Sequence, residues 1–214
     1  MEFSRFLQAT TLVACSLLVS SCSSISQQEC EIGDWYSIGV NDGRSGADSN
    51  KQYRKYQKEC ASHGIQADFK RYRQGYDQGL VFYCDFAHGE AHGRSGASFN
   101  TACSGPLEPK FRLGYERGIR WHQAKSEVDH LQFELDQRYR QIQQNRDLIY
   151  DNNQRLVREQ NAEVRAQLLY RNDHLSTELN QLNTEVGRLQ VQLYQAEQNF
   201  SRLEQQQSQQ YRQP

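Results

Sequence analysis

The feature that most restricts the fold is an aromatic residue followed by two glycines, at positions i, i+3 and i+7, which occurs four times before residue 120. The copies are Tyr36, Gly39, Gly43; Tyr72, Gly75, Gly79; Phe86, Gly89, Gly93; and Phe111, Gly114, Gly118. On a helix these positions share one face, so each copy forms a stripe that another backbone can approach closely. Charged residues within the copies, such as Asp42 and Arg117, argue against a membrane-spanning pair. The pattern predicts a mainly α head whose helices pack with rings against glycines.

The amino terminus has the composition of a secretory signal peptide. One basic residue, Arg5, precedes an uncharged run from Phe6 to Val19 that is rich in Leu, Val, Ala and Phe, and a Ser-Ser-Cys sequence ends at Cys22. Small residues before a cysteine, with an aliphatic residue three positions upstream, form a lipobox, in which the cysteine becomes the acylated first residue of the mature protein. We therefore expect removal of residues 1–21 and a lipid anchor at Cys22, with palmitate among its acyl chains.

Two alternatives to a lipid on Cys22 fit less well. Cleavage before Cys15 would leave an apolar run of only about eight residues, at the low end for a signal peptide, and ordinary cleavage would leave Cys22 as a spare thiol. Because Ser23 and not Asp follows the lipidated position, we expect a lipid-anchored protein of the outer membrane that faces the periplasm. No later run approaches the roughly 18 apolar residues of a spanning helix.

Four further cysteines, Cys30, Cys60, Cys84 and Cys103, predict two disulfides in a secreted chain, with three connectivities open. If the first two long helices are antiparallel, Cys30 meets Cys60, and Cys84 then closes on Cys103 across the third glycine copy. Zinc is the alternative, but no Cys-x-x-Cys pair is present. We expect no cofactor and no metal.

Glycine divides the chain into two blocks of opposite composition. Thirteen of the 14 glycines lie from Gly33 to Gly118, and beyond Trp121 the only glycine is Gly187. We therefore expect a linker over 22–29, a Cys- and Gly-rich head over 30–120, a coiled coil over 121–205 and a disordered Gln-rich tail over 206–214. A head of this size buries a limited core, which is why disulfides are expected.

Local sequence signals predict where the first helices of the head lie. They predict two helices, Glu31 to Gly43 and Lys51 to Ser62, separated by a polar turn from Gly46 to Asn50. Asp68 is a plausible N-cap for a third helix that ends at Tyr83.

One tetrapeptide, Gly-Arg-Ser-Gly, follows the first and third copies at 43–46 and 93–96. Such a sequence is typical of a helix C-terminus, where arginine faces the negative end of the dipole. A glycine-rich loop that holds an anion through backbone N–H groups is the alternative.

A series of spaced residues runs through the head from Cys30 to Gly118. It comprises Cys30, Asp34-Trp35, Gly39, Asp42-Gly43, Cys60-Ala61, His63-Gly64, Tyr72, Gly75, Gly79-Leu80, Tyr83-Cys84, Gly93-Arg94-Ser95-Gly96 and Cys103. This series resembles the domain-of-unknown-function 2799 family of bacterial lipoproteins. The resemblance implies no activity. Members of that family end soon after the last glycine pair, so a function specific to this chain is expected in its long tail.

The tail carries a heptad seam, with apolar residues spaced alternately four and three from Leu175 onward. The seam residues are Leu175, Leu179, Leu182, Val186, Leu189, Leu193, Ala196, Phe200 and Leu203. An earlier seam comprises Val128, Leu131, Leu135, Ile142, Ile149 and Leu156, with Arg138, Asn145 and Asn152 interrupting it. The pattern predicts a left-handed coiled coil. The two seams do not join in phase, so a stutter or a hinge must lie between Leu156 and Leu175.

Two architectures satisfy these seams. One is a continuous helix from Trp121 to about Gln205 that assembles with other copies, and the other is a helical hairpin that folds back near residues 171–174. With no glycine or proline at that bend, the sequence favours the rod. Complementary charges beside the seam are scarce, so a homo-oligomer is the simplest partner. Gln205 to Gln210 is too polar to pack and is expected to fray.

No convergent catalytic site is evident, and the net charge of −1 argues against a nucleic-acid partner. His88 and His92 are four apart, a spacing that also suits a metal on a helix. We expect a non-enzymatic outer-membrane lipoprotein that self-associates through its coiled coil or contacts other envelope proteins. The alternative is a peptidoglycan- or glycan-binding head on a helical spacer. Its sugar-stacking face would comprise Trp35, Tyr36, Tyr72, Tyr76 and Tyr83.

Overall fold

Residues 25–210, which the computed structural model describes, are almost entirely helical. The helices are α1 Gln27–Ile32, α2 Trp35–Ser45, α3 Ser49–Ala61, α4 Phe69–Tyr83, α5 Phe86–Arg94, α6 Glu108–Arg158 and α7 Ala162–Gln210. A 3-10 turn over Gly105–Leu107 precedes α6, and none of the described residues lies in a β-strand. The mainly α prediction is confirmed. The expected signal peptide and Cys22 lie outside the described residues.

Aspartates begin four helices of the head, α2 to α5. The N-caps are Asp34, Asp48, Asp68 and Asp85. Each carboxylate accepts a hydrogen bond from the backbone nitrogen three residues on, which satisfies a donor that the helix leaves open. The cap predicted at Asp68 is confirmed. The single helix predicted from Glu31 to Gly43 is wrong, because Gly33 adopts φ 66° and ends α1 before Asp34 starts α2.

The first two glycine copies pack against each other where α2 crosses α4. A Cβ atom on Gly39 would overlap the carbonyl oxygen of Tyr72, and Gly43, Gly75 and Gly79 meet backbone atoms of the opposite helix in the same way. The contact is therefore reciprocal, with two glycines from each helix at the crossing.

The third and fourth copies repeat this arrangement where α5 crosses α6. A Cβ atom on Gly89 would overlap the carbonyl oxygen of Phe111, and Gly93, Gly114 and Gly118 likewise face the backbone of the other helix. The four copies thus form two pairs, α2 with α4 and α5 with α6.

The prediction that rings would pack against the glycines is wrong, because the atoms nearest the glycines belong to backbone. The rings of Tyr72 and Phe111 are fully buried in the head core. Tyr36 is partly exposed, and Phe86 lies beneath the guanidinium of Arg117, 5.7 Å from its ring centroid. The glycines set the approach of the helices, and the rings fill the space beside them.

The two helix pairs share a second contact that marks the head as an internal duplication. The hydroxyl of Tyr76 donates to the carbonyl oxygen of Ala47 at 2.5 Å, and that of Tyr115 donates to the carbonyl oxygen of Ala97 at 3.1 Å. Each tyrosine follows the first glycine of its copy, and each alanine follows a Gly-Arg-Ser-Gly sequence.

Two disulfides staple the head, Cys30 to Cys60 and Cys84 to Cys103, with Cα atoms 5.6 Å and 5.5 Å apart. This is the connectivity that the sequence favoured. All four cysteines are buried within the core cluster, so both bonds lie inside the packed region, although Cys84 and Cys103 themselves are in the connections between helices.

The tail is a helical hairpin, and the predicted continuous rod from Trp121 to about Gln205 is wrong. α6 starts inside the head, continues to Arg158, turns over residues 159–161 and returns as α7. The side chain of Asn161 accepts from the backbone nitrogens of Glu163 and Val164 at 2.9 Å and 3.2 Å, which caps α7. The hairpin that was the alternative is therefore present, but its turn lies about ten residues before the expected 171–174.

The phase slip between the two seams explains a turn that has no glycine or proline. Asn152 lies in the first seam, and Asn172, three residues before Leu175, occupies the core position that precedes the second seam. On one straight helix of 3.6 residues per turn the two would point roughly 200° apart. A continuous helix would place its two apolar stripes on nearly opposite faces. Folding back lets the stripes face each other, and the Asn152 amide then donates to the Asn172 side chain at 2.9 Å.

Candidate functional site

The predicted α7 seam faces α6 within the same chain. Leu182, Val186, Leu189 and Ala196 are buried, and Ile142 of α6 packs with the first two in one cluster. The remaining seam residues, Leu175, Leu179, Leu193, Phe200 and Leu203, are partly buried. The apolar surface that the sequence assigned to other copies is thus covered internally.

Four polar residues of the α6 seam are separated by multiples of seven residues, so they share one core position of the heptad. They are Arg117, Arg138, Asn145 and Asn152. Three of them contact polar partners on α7: Arg117 reaches Gln207, Arg138 donates to Glu185 at 2.6 Å, and Asn152 donates to Asn172. Polar groups in a coiled-coil seam specify register at some cost in stability. These contacts therefore fix how far α7 slides along α6.

Asn145 differs from the other polar seam residues. It is buried, and its Nδ2 has no hydrogen-bond partner among residues 25–210. A buried amide without a partner costs about 1–3 kcal/mol. Asn145 therefore lowers the stability of the hairpin at this position.

The end of α7 is clasped to the head by a buried polar cluster. Gln207 donates through Nε2 to the Arg117 carbonyl oxygen at 3.1 Å and accepts from the Arg117 guanidinium at its own backbone oxygen. Arg94 donates to the Gln207 side chain at 3.4 Å and pairs with Glu90 at 2.9 Å. Gln207, Arg117 and Glu90 are all buried. The base of the hairpin is therefore joined to the α5–α6 pair through both of its helices.

The expected fraying of Gln205 to Gln210 is wrong, and so is the predicted disorder over 206–210, since α7 continues to Gln210; the rest of the predicted tail, 211–214, lies outside the described residues. Gln207 lies four residues after Leu203, at the next core position of the seam. Its polar side chain is buried because Arg117, not an apolar residue, occupies the facing position. The alternating spacing of four and three residues, continued past Leu203, places the next core position at Gln207.

We expect Gln207→Ala to loosen the end of α7 without unfolding the head. Loss of the paired amide leaves the buried Arg117 carbonyl without that donor, a cost of about 1–3 kcal/mol. Hydrogen exchange of the last turns of α7 should then speed up by roughly tenfold or more. The exposed neighbour supplies the control, Gln206→Ala, which should leave exchange unchanged. Equal exchange in both variants would show that the clasp contributes nothing.

The far end of the hairpin exposes large apolar side chains on both of its sides. They are Leu148, Tyr150, Val157, Leu169 and Tyr170. Leu148 and Tyr170 border a groove of about 350 Å³ between the helices, which His174 and Leu175 also line. Exposed apolar side chains also lie midway along the arm, at Phe133, Tyr139, Val191 and Tyr194, but Leu148 and Tyr170 are the ones that border this groove. We refer to residues 148–175 as the hairpin tip.

The Gly-Arg-Ser-Gly sequences are helix C-termini, as the sequence favoured. Gly46 and Gly96 adopt left-handed φ values of 65° and 74° at these ends. The hydroxyls of Ser45 and Ser95 donate to carbonyl oxygens of the preceding turn at 2.8 Å and 2.7 Å. The backbone polar groups at these two helix ends are engaged in capping.

Most of the aromatic residues assigned to a sugar-stacking face are in the core, so that face is absent from the described head. Trp35, Tyr72 and Tyr76 are almost fully buried, Tyr83 is partly buried, and Tyr36 is the most exposed of the five. A buried ring has no free face for a sugar.

Asp42 explains the burial of two tyrosines. Its carboxylate accepts from the hydroxyl of Tyr72 at 2.8 Å and from that of Tyr56 at 3.1 Å, which ties α2, α3 and α4 together. Burial and the adjacent Asp42 carboxylate raise the pKa of both tyrosines well above the usual range. Both hydroxyls therefore remain donors at any physiological pH.

The two histidines considered as metal ligands each have another partner. The His88 ring contacts the Asp85 carboxylate at 2.8 Å, and the His92 ring contacts the Ser98 carbonyl oxygen at 2.7 Å. Over residues 25–210, no three His, Cys, Asp or Glu side chains converge as a metal would require. Over the same residues, no helix has the length and apolar character of a membrane span.

These features define a class of protein: an all-α, disulfide-bonded domain built from paired glycine helices, extended by an intramolecular coiled-coil arm. Residues 34–120 match the family model of the domain-of-unknown-function 2799 family, described as proteins of unknown function. This match covers the head of the chain, the region in which its spaced residues indicated the resemblance. No curated protein and no solved structure matches the chain. The match ends at the point where α6 leaves the head, so the hairpin lies beyond it.

Proposed function

We propose that this protein is a non-enzymatic lipoprotein of the outer membrane, anchored through Cys22, whose hairpin reaches into the periplasm and binds an envelope protein at its tip. The observation that carries the proposal is the hairpin itself. α6 from Trp121 to Arg158 gives an arm of roughly 55 Å at 1.5 Å per residue. It is clasped at its base and apolar at its far end.

Because the seam is already covered within the chain, we expect binding at another part of the hairpin. The seam residues are occupied within the chain, so self-association through that seam would first require the hairpin to open. The tip offers free apolar area without such a cost, and it carries tyrosine and arginine, which are enriched at binding hot spots. If copies of this chain associate with one another, we propose that they do so through the tip.

A photo-crosslinking residue in place of Tyr170 tests the tip in the native envelope. We expect an adduct with one discrete envelope protein, because Tyr170 projects beside the groove. The control is the same crosslinker in place of Phe133, which is also exposed but lies midway along α6. Equal adducts from both sites, or none from either, would contradict tip binding. An adduct with the mass of two chains would make the partner a second copy.

The anchor is tested separately by Cys22→Ala. We expect this variant to be released into the soluble periplasmic fraction, because no other lipid site is foreseen, whereas Cys15→Ala should fractionate like the unaltered protein. Membrane fractionation of both variants is the measurement. Retention of the Cys22 variant in the membrane would show that the anchor is elsewhere.

A further inference from the structure

A polar cleft lies at the junction of the two glycine-paired halves of the head. It has a volume of about 290 Å³ and is formed by the start of α3, one side of α4 and the loop between α5 and α6. Its lining includes the polar side chains of Ser49, Asn50, Arg73, Asn100, Thr101 and Ser104. Sites between domains or repeats are common places for small ligands.

The loop side of the cleft is fixed in position. The Asn100 amide donates to the carbonyl oxygen of Gly46 at 2.8 Å and to the Tyr83 hydroxyl at 3.1 Å, and its side-chain oxygen accepts from the Ala102 nitrogen at 3.0 Å. The adjacent Cys103 is held by its disulfide. A ligand would therefore meet a preorganised wall and lose little free energy in ordering it.

The charged groups around the cleft already have hydrogen-bond partners. The Asp48 carboxylate accepts from the backbone nitrogen of Lys51 at 3.0 Å and caps the start of α3. Arg73 pairs with Asp77 at 3.0 Å and donates to the Ser49 hydroxyl at 3.2 Å. An anion would meet the carboxylate without gaining an unpaired cation, so charge does not favour it.

What remains in the cleft is a set of neutral groups that both donate and accept hydrogen bonds. Asn50, Thr101 and Ser104 are exposed residues of the lining, and each carries an amide or a hydroxyl group. A neutral ligand rich in hydroxyl and amide groups matches them. The volume limits it to a small ligand, on the order of one or two sugar rings.

We propose that this cleft binds a neutral saccharide, in particular an N-acetylated sugar unit. The periplasmic address on which this rests comes from the proposed function, but the site does not involve the hairpin or its tip. Binding relies on hydrogen bonds without an exposed aromatic face, because Tyr76 is buried. The dissociation constant is therefore expected on the order of 1 mM.

The test is an NMR titration of the full chain with N,N′-diacetylchitobiose. We expect saturable shifts confined to the backbone amides of residues 48–50 and 100–104. A double variant, Asn50→Leu with Thr101→Val, should weaken binding at least tenfold while retaining the melting temperature. Gln57→Leu, an exposed change later in α3, should bind like the unaltered chain.

Three outcomes would overturn the proposal: no saturable shifts up to tens of millimolar sugar, equal binding by the double variant, or tighter binding of glucuronate than of the neutral disaccharide. A failed crosslink at Tyr170 would leave the cleft unaffected, and loss of sugar binding would leave the tip proposal unaffected. The two can therefore fail separately.

Discussion

Gly39→Ala should lower the melting temperature of the chain far more than an alanine at most exposed positions would. The new Cβ would overlap the Tyr72 carbonyl oxygen and lie 2.8 Å from the Tyr76 nitrogen, and both are backbone atoms that cannot rotate away. α2 and α4 would have to separate, and overpacking of this kind costs about 1–3 kcal/mol or more. For a head of this size each kcal/mol corresponds to roughly 4–8 °C. Thermal melts with the disulfides intact measure it.

Gly187→Ala is the matched control, because Gly187 is also helical and nothing lies within 4 Å of its added Cβ. Alanine is the better helix former by about 1 kcal/mol, so this variant should be unchanged or slightly more stable. Two alanine substitutions in one protein would then act in opposite directions. If Gly39→Ala were tolerated as well as Gly187→Ala, the close crossing of α2 and α4 would be wrong.

Replacing Leu182 and Leu189 together by Asn should unfold the hairpin. Both side chains are buried against α6, and each loss of core volume with a polar group in its place costs on the order of 2–5 kcal/mol. Helicity measured by circular dichroism should fall by the contribution of α7 and the distal part of α6. The stapled head should keep its own structure.

The matched control is Val191→Asn with Tyr194→Asn, two exposed apolar residues on the same helix, which should leave helicity unchanged. The helicity of the unaltered chain, followed together with sedimentation, should not depend on concentration, because the seam is satisfied within each chain and association through the tip would leave the hairpin closed. Dissociation of an oligomer on dilution, with loss of helicity, would instead support the assembled rod.

The sequence by itself determined the local features of the head. A glycine pair four apart can only serve a close helix crossing or a turn, and charges within the copies placed that crossing in water. The Cys30–Cys60 pair is present as favoured, but the single helix that the sequence argument assumed before the turn is divided at Gly33, so spacing alone does not account for it. Asp68 and the Gly-Arg-Ser-Gly sequences were recognisable because caps depend on nearest neighbours along the chain.

Only the tertiary structure decided which copies pair and which surface each side chain faces. Any of the four glycine stripes could in principle meet any other, and burial of Trp35, Tyr72 and Tyr76 depends on helices distant in sequence. Aromatic spacing alone therefore could not distinguish a core from a sugar-binding face.

In the hairpin, the sequence predicts the apolar seam of α7 correctly but not the surface that covers it. A seam specifies an apolar stripe, but it does not specify whether the covering stripe belongs to the same chain or to another. A three-residue connection holds α7 beside α6 at an effective concentration that a second chain cannot match, since closing a short loop costs little entropy. The 200° offset of the two stripes then makes the straight helix the less favourable arrangement, and Gln207 is buried because folding back brings it to Arg117.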